Sequence, residues 1–111
     1  MSDGRRPQRV QKELSHLVSQ YLLMEWRGPH PGIFTVVAVD VTPDLRSAKV
    51  FISVLLTEAA DFSELEEAFE EQRNQIQSYV GRNLKMKFTP RLNFKLGTQG
   101  DLISAPSKSD S

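Results

Sequence analysis

Four cations recur at odd positions late in the chain, Lys85, Lys87, Arg91 and Lys95, among Leu84, Met86, Phe88, Leu92, Phe94 and Leu96 at even ones. Successive side chains of a strand point to opposite faces, so the pattern predicts a last strand with one cationic face and one core face. Such a row suits phosphates, and lysine and arginine contacts to phosphate dominate nucleic-acid affinity in a sequence-indifferent, salt-sensitive way. Pro90 lacks an N–H and marks an edge position or a break within the run. A second cluster, Arg5, Arg6, Arg9 and Lys12, crowds the opening of the first predicted helix. Cations there oppose the partial positive charge of a helix amino end, a mismatch that an anionic partner relieves. Arg73 and Arg82 complete the candidate phosphate contacts.

Other chemistries find little material. Cysteine is absent, which excludes disulfides, thiol catalysis and cysteine zinc sites. The two histidines, His16 and His30, have no partner at metal-ligand spacing, so no metal and no cofactor is expected. Neither a phosphate-binding G-x-x-x-x-G-K-[ST] loop nor a G-x-S-x-G elbow occurs. Carboxylates pair up only in an acidic block that reads as a solvated helix face, so an enzyme is not expected. "GTQG" at Gly97 to Gly100 fits the G-x-x-G of a KH backbone clamp, but that loop joins two helices. Here it follows the final strand, and a strand-ending turn is the reading adopted.

The elements that must position these residues follow from periodicity. At 111 residues the chain makes one domain, large enough to fold on its own core. Val10, Leu14, Leu17, Val18, Tyr21 and Leu22 recur at helical spacing after Pro7, and "RGPHPG" ends that helix. Two strands joined by the turn "TPDLRS" come next, with Val37, Val39 and Val41 sharing one strand face and Ala48, Val50, Ile52, Val54 and Leu56 sharing another. Asp61 or Ser63 then caps a second helix, Ser63 and Glu66 having capping-box spacing. Leu65, Ala68, Phe69, Ile76, Val80 and Leu84 form its apolar stripe, on which Gln72 is polar. The stripe therefore weakens or bends there.

Formal net charge is zero, yet the charge is segregated. Seven acids and no base lie between Glu58 and Glu71, whereas six bases and no acid lie between Gln72 and Gly100. The acids suit a helix start, where the dipole favours them; an acidic docking face for a basic partner is the alternative. Trp26, just before "RGPHPG", has no fixed place in these patterns; capping the core is favoured over base stacking. Residues 97–111 read as a flexible tail and residues 1–96, ordered from about residue 5, as the domain. No apolar run has membrane-span length and the amino terminus lacks a secretory pattern, so a cytoplasmic protein without membrane contact is expected.

"RRPQRV" before an amphipathic helix, "VDVTPDLRSAKVFISV" across the hairpin and "IQSYVGRNLKMKFTPRLNF" at the end together resemble the ribosome-binding factor A family. The resemblance covers roughly Arg5 to Leu96. Its most specific parts are Asp44, Leu45, Ala48, Lys49 and Val50 as D-L-x-x-A-K-V, and Pro90, Leu92 and Phe94 as P-x-L-x-F. It implies an α+β, type II KH-like fold in the order helix–strand–strand–helix–kink–helix–strand, one three-stranded sheet with helices on one face. In that family an Ala-x-Gly kink replaces the KH loop. It aligns with Gln72, Arg73 and Asn74, so Gln72 stands where Ala is usual and Asn74 where Gly is usual. The resemblance further implies a non-catalytic factor that binds free, immature 30S subunits. Such a factor assists folding and 5′-end processing of the 16S rRNA precursor, matters most in the cold, and is expected to act as a monomer with no small-molecule substrate. A protein-binding adaptor that uses the acidic helix without an RNA role is the competing expectation.

Overall fold

Apolar residues at helical spacing from Val10 to Leu22 need a surface to cover, and two β-branched runs supply it. A computed structural model describes residues 7–59 and 61–98. Its elements are α1 (Pro7–Met24), β1 (Gly32–Val41), β2 (Ser47–Leu56), α2 (Phe62–Asn83) and β3 (Arg91–Gly97). Arg5, Arg6 and residues 99–111 of the expected tail lie outside the described residues. No helix among those described is long and apolar enough to cross a membrane.

The sheet order is β1-β2-β3, with β2 antiparallel to β1 and parallel to β3. Hairpin strands pair antiparallel through a short turn, whereas a parallel neighbour needs a crossover, which α2 provides. Ala48, Val50, Ile52 and Val54 of β2 and Leu92 of β3 are buried, and both helices pack over the face they share. The buried residues of α1 are the six of its predicted stripe. Asp61 caps α2, its carboxylate accepting the Ser63 amide at 2.9 Å and the Ser63 hydroxyl at 2.8 Å. Those two bonds hold its pKa below the usual carboxylate range.

β1 departs from the expected face. Pairing runs Val36↔Ile52 and then Ala38↔Phe51, so one residue is inserted as a bulge. A bulge moves the strand's alternation by one position. Val39 and Val41 are buried as predicted, but Val37 is 44% exposed, and Phe34 and Val36 pack against the core in its place. Leu56, at the end of β2, is also exposed.

The second departure concerns α2. It runs through Gln72, Arg73 and Asn74 unbroken, where the resemblance implied two helices joined by a kink. Among the described residues only Leu45 is a non-glycine with positive φ, so Asn74 does not adopt the left-handed conformation that a glycine kink would use. Gln72 is satisfied on the apolar stripe because its Oε1 accepts the Tyr21 hydroxyl at 2.8 Å and the Arg27 amide at 3.3 Å. A polar residue there ties the end of α1 to α2. Gly28 lies against the same point, where a Cβ would come within 3.2 Å of Ala68 and of the Gln72 amide, and 2.8 Å of Trp26. Trp26 caps the core as expected, 4.4 Å from Phe69 and 5.5 Å from Phe34 between ring centroids.

The third departure is the last strand, which begins at Arg91 rather than Leu84. Its ladder starts at Ser47↔Arg91, and upstream of Ser47 the partner chain turns away into the hairpin, so residues 84–90 have no strand to pair with. Gln77 fastens the entry: its Nε2 donates to the Pro90 carbonyl at 2.7 Å, and its Oε1 accepts the Leu92 amide at 3.0 Å. Gln77→Ala leaves two half-buried backbone groups unpaired and is expected to cost about 1–3 kcal/mol in urea unfolding. An unchanged midpoint would show that water satisfies both groups equally well.

Candidate nucleic-acid interface

The 84–90 segment becomes a loop because no strand pairs with it, and that alters what its side chains do. Leu84 still faces inward at 3% exposure. Met86 is half-buried against the core, while Phe88, expected on the core face, is 75% exposed. Lys85 and Lys87 stand on this loop and not on the strand.

Across from the loop lies the β1–β2 turn. Thr42 O accepts the Leu45 amide at 2.8 Å, and Thr42 Oγ1 accepts the Ser47 amide at 3.1 Å. Asp44 Oδ1 accepts the Thr42 hydroxyl at 2.7 Å and the Arg46 amide at 3.0 Å. The hydroxyl, and after it the Arg46 amide, hold the Asp44 carboxyl below its ordinary pKa. This network supports Leu45 at φ 63, a conformation costly for a side chain with a Cβ. It turns Leu45 against the core and leaves Arg46 exposed.

Loop and turn enclose a groove of about 720 Å³. Leu45, Met86 and Phe88 line it with apolar surface; Arg46, Lys85 and Lys87 bring positive charge and Asp44 the one carboxylate among the lining residues. The Arg91 amide donates to Arg46 O at 2.9 Å, which joins this groove to β3. On β3 the side chains opposite to Leu92 are Arg91, Asn93 and Lys95, all exposed, and Lys49 of β2 pairs with Asn93 on that same outward face. Loop, turn and outward sheet face thus bring these cations to one side of the fold, with Asp40 of β1 paired opposite Lys49.

Of the predicted contacts, Lys85, Lys87, Arg91 and Lys95 belong to this surface. Arg9 and Lys12 are exposed on α1, and Lys12 lines a separate shallow groove with Ser15, His16 and Val39. Arg82 is exposed at the end of α2, 6.0 Å from the Tyr79 ring, where it faces Glu25 and Arg27 across another groove. Arg73 is half-buried and paired with Glu70 at 3.0 Å, which reduces its availability. Arg46, Lys49 and Phe88 were missed by sequence reasoning. Arg46 lies within the predicted turn "TPDLRS", and strict alternation assigns Phe88 to the core. Pro90, two residues on, was the available warning that alternation stops mattering there.

Among the described residues no group of three His, Asp or Glu is placed to hold a metal. Thus the basic surface can neutralise phosphates and offer one aromatic ring.

Comparison with known proteins agrees with this fold. The family model described as Ribosome-binding factor A matches residues 6–104. Ribosome-binding factor A of Bdellovibrio bacteriovorus is 40% identical over 96 residues, covering 86% of this chain and 71% of that protein. The crystal structure of ribosome-binding factor A from Thermus thermophilus superposes with a TM-score of 0.69 at 16% identity, covering 83% of this chain and 97% of that one. The Thermus thermophilus factor fitted as a homology model into a cryo-EM map of a 30S complex has a TM-score of 0.59 at 18% identity, covering 81% of this chain and 89% of the other. Family model, sequence relative and fold agree across the described domain: the chain belongs to the ribosome-binding factor A family.

Proposed function

We propose that this protein is a non-catalytic ribosome assembly factor that binds the immature 30S subunit as a monomer. It does so through phosphates of the 16S rRNA precursor and assists rRNA folding and 5′-end processing, most importantly in the cold. The observation that carries this reading is the gathering of Arg46, Lys85, Lys87, Arg91 and Lys95 on one side of a chain whose formal net charge is zero. A local field of one sign steers a polyanion even where total charge does not. The 30S complex of the Thermus thermophilus relative supports the choice of partner. The mechanism is differential binding: a factor that prefers one rRNA conformation shifts the population toward it by its difference in affinity for the two.

Co-sedimentation with free small subunits at several salt concentrations tests the reading. Binding that weakens steeply as salt rises is expected. Absence of binding to free subunits at low salt would refute it, and retention on translating ribosomes alone would contradict the assembly role.

A further inference from the structure

We propose that the groove between the β1–β2 turn and the loop before β3 is a nucleotide subsite, in which Phe88 stacks on an unpaired rRNA base while Arg46, Lys85 and Lys87 hold the flanking phosphates. The inference rests on the rRNA-binding reading above and adds to it a specific contact of a different kind. Phe88 is 75% exposed, whereas Trp26, Phe34, Phe69 and Phe94 form a cluster of rings at 4.4–5.7 Å. A lone aromatic ring kept in water beside cations is the arrangement that single-strand binders use, because every base has a π-face and every nucleotide a phosphate. Lys87 Nζ lies over one face of the Phe88 ring, 5.8 Å from its centroid, so a base would stack on the opposite face with the cation behind the ring.

The groove is also built rather than incidental. At about 720 Å³ it lies within the range of small-molecule sites. One wall is the Asp44–Arg46 turn, held by Thr42 and by the left-handed Leu45. The other wall is anchored where Gln77 holds the Pro90 carbonyl and where Leu84 enters the core. Both walls are positioned before any partner arrives, which lowers the ordering cost of binding. Three cations against one carboxylate favour an anionic occupant. Asp44 Oδ1 is moreover engaged within its own turn by the Thr42 hydroxyl and the Arg46 amide.

The test uses the full chain and isolated small ribosomal subunits, with Phe88→Leu and Phe88→Trp. Leucine keeps apolar bulk and removes the π-face; tryptophan keeps the face. Because Phe88 is exposed, both variants are expected to melt with the parent. Phe88→Leu should weaken subunit binding about tenfold, whereas Phe88→Trp should match or exceed the parent. Acylation of rRNA 2′-hydroxyls should fall at one or a few unpaired nucleotides with the parent and with Phe88→Trp, but not with Phe88→Leu. Equal binding by Phe88→Leu overturns the proposal. So does a loss shared by Phe88→Trp, or a loss with no nucleotide-specific change, the last placing a ribosomal protein in the groove. Failure of the parent itself to bind subunits refutes the rRNA-binding reading, and this inference with it; the other outcomes leave that reading standing.

Discussion

Replacing Lys85, Lys87 and Arg91 together by Glu is expected to lower affinity for free small subunits about a hundredfold at about 0.15 M salt. Each cation that neutralises one phosphate releases condensed counterions. Its loss therefore weakens binding severalfold and makes the dependence of log affinity on log salt shallower by roughly 0.7–0.9. For the triple alanine variant the slope should thus fall by roughly two to three, without the added repulsion of the glutamates. These three residues are the decisive choice because the loop and β3 bring them to one surface beside Arg46. Arg73 would be a poor choice, since Glu70 already holds it at 3.0 Å. Equilibrium binding across a salt series measures both quantities. Undiminished binding by the Glu variant would remove this surface from the interface. The acidic half of α2 provides the contrast: Glu66→Lys with Glu67→Lys should leave subunit binding undiminished, whereas an adaptor acting through that helix would lose its partner.

Phe69→Ala is expected to cost about 3–5 kcal/mol, the largest stability effect of any single truncation here. Phe69 is buried on α2 and meets rings from three other elements: Trp26 at 4.4 Å from the loop after α1, Phe34 at 5.7 Å from β1, and Phe94 at 5.6 Å from β3. Truncation removes the ring's own burial and leaves a cavity that rings on three separate elements cannot close together. Since small domains are stable by about 5–15 kcal/mol, a loss of that size removes a large part of the margin. Urea unfolding followed by the fluorescence of the single Trp26 measures the change and probes the same cluster. Phe88→Ala is the matched control. The same truncation at an exposed site should shift stability by no more than about 0.5 kcal/mol. Equal losses at both positions would mean that Phe88 is buried and that the groove does not exist.

The contrast between these two phenylalanines marks how far local pattern carries. The stripe of α1, the core face of β2 and the apolar positions of α2 were all legible, because one periodicity governs each and one face is buried. The family was legible too, through the "DLRSAK" turn and the "PRLNF" strand. Those same motifs now have physical roles: the first builds the turn with Leu45 at positive φ, and the second enters the sheet through the Gln77 bridge.

What the sequence by itself determined, then, was the element order, most of the core and the segregation of charge, all of them properties of neighbours along the chain. Tertiary structure alone decided the rest. Whether residues 84–90 form a strand depends on a partner, and β2 begins only at Ser47. Phe88 is exposed because that partner is missing, not because of its own neighbours. The bulge that turns Val37 outward follows from how β1 pairs with β2. Gln72 finds a partner on the apolar stripe because Tyr21, fifty-one residues earlier, donates to its side chain. Hydrogen bonds between distant segments set each of these outcomes, and no local periodicity encodes them. The groove that joins Arg46 to Lys85 and Lys87 exists only because a turn and a loop forty residues apart meet in space.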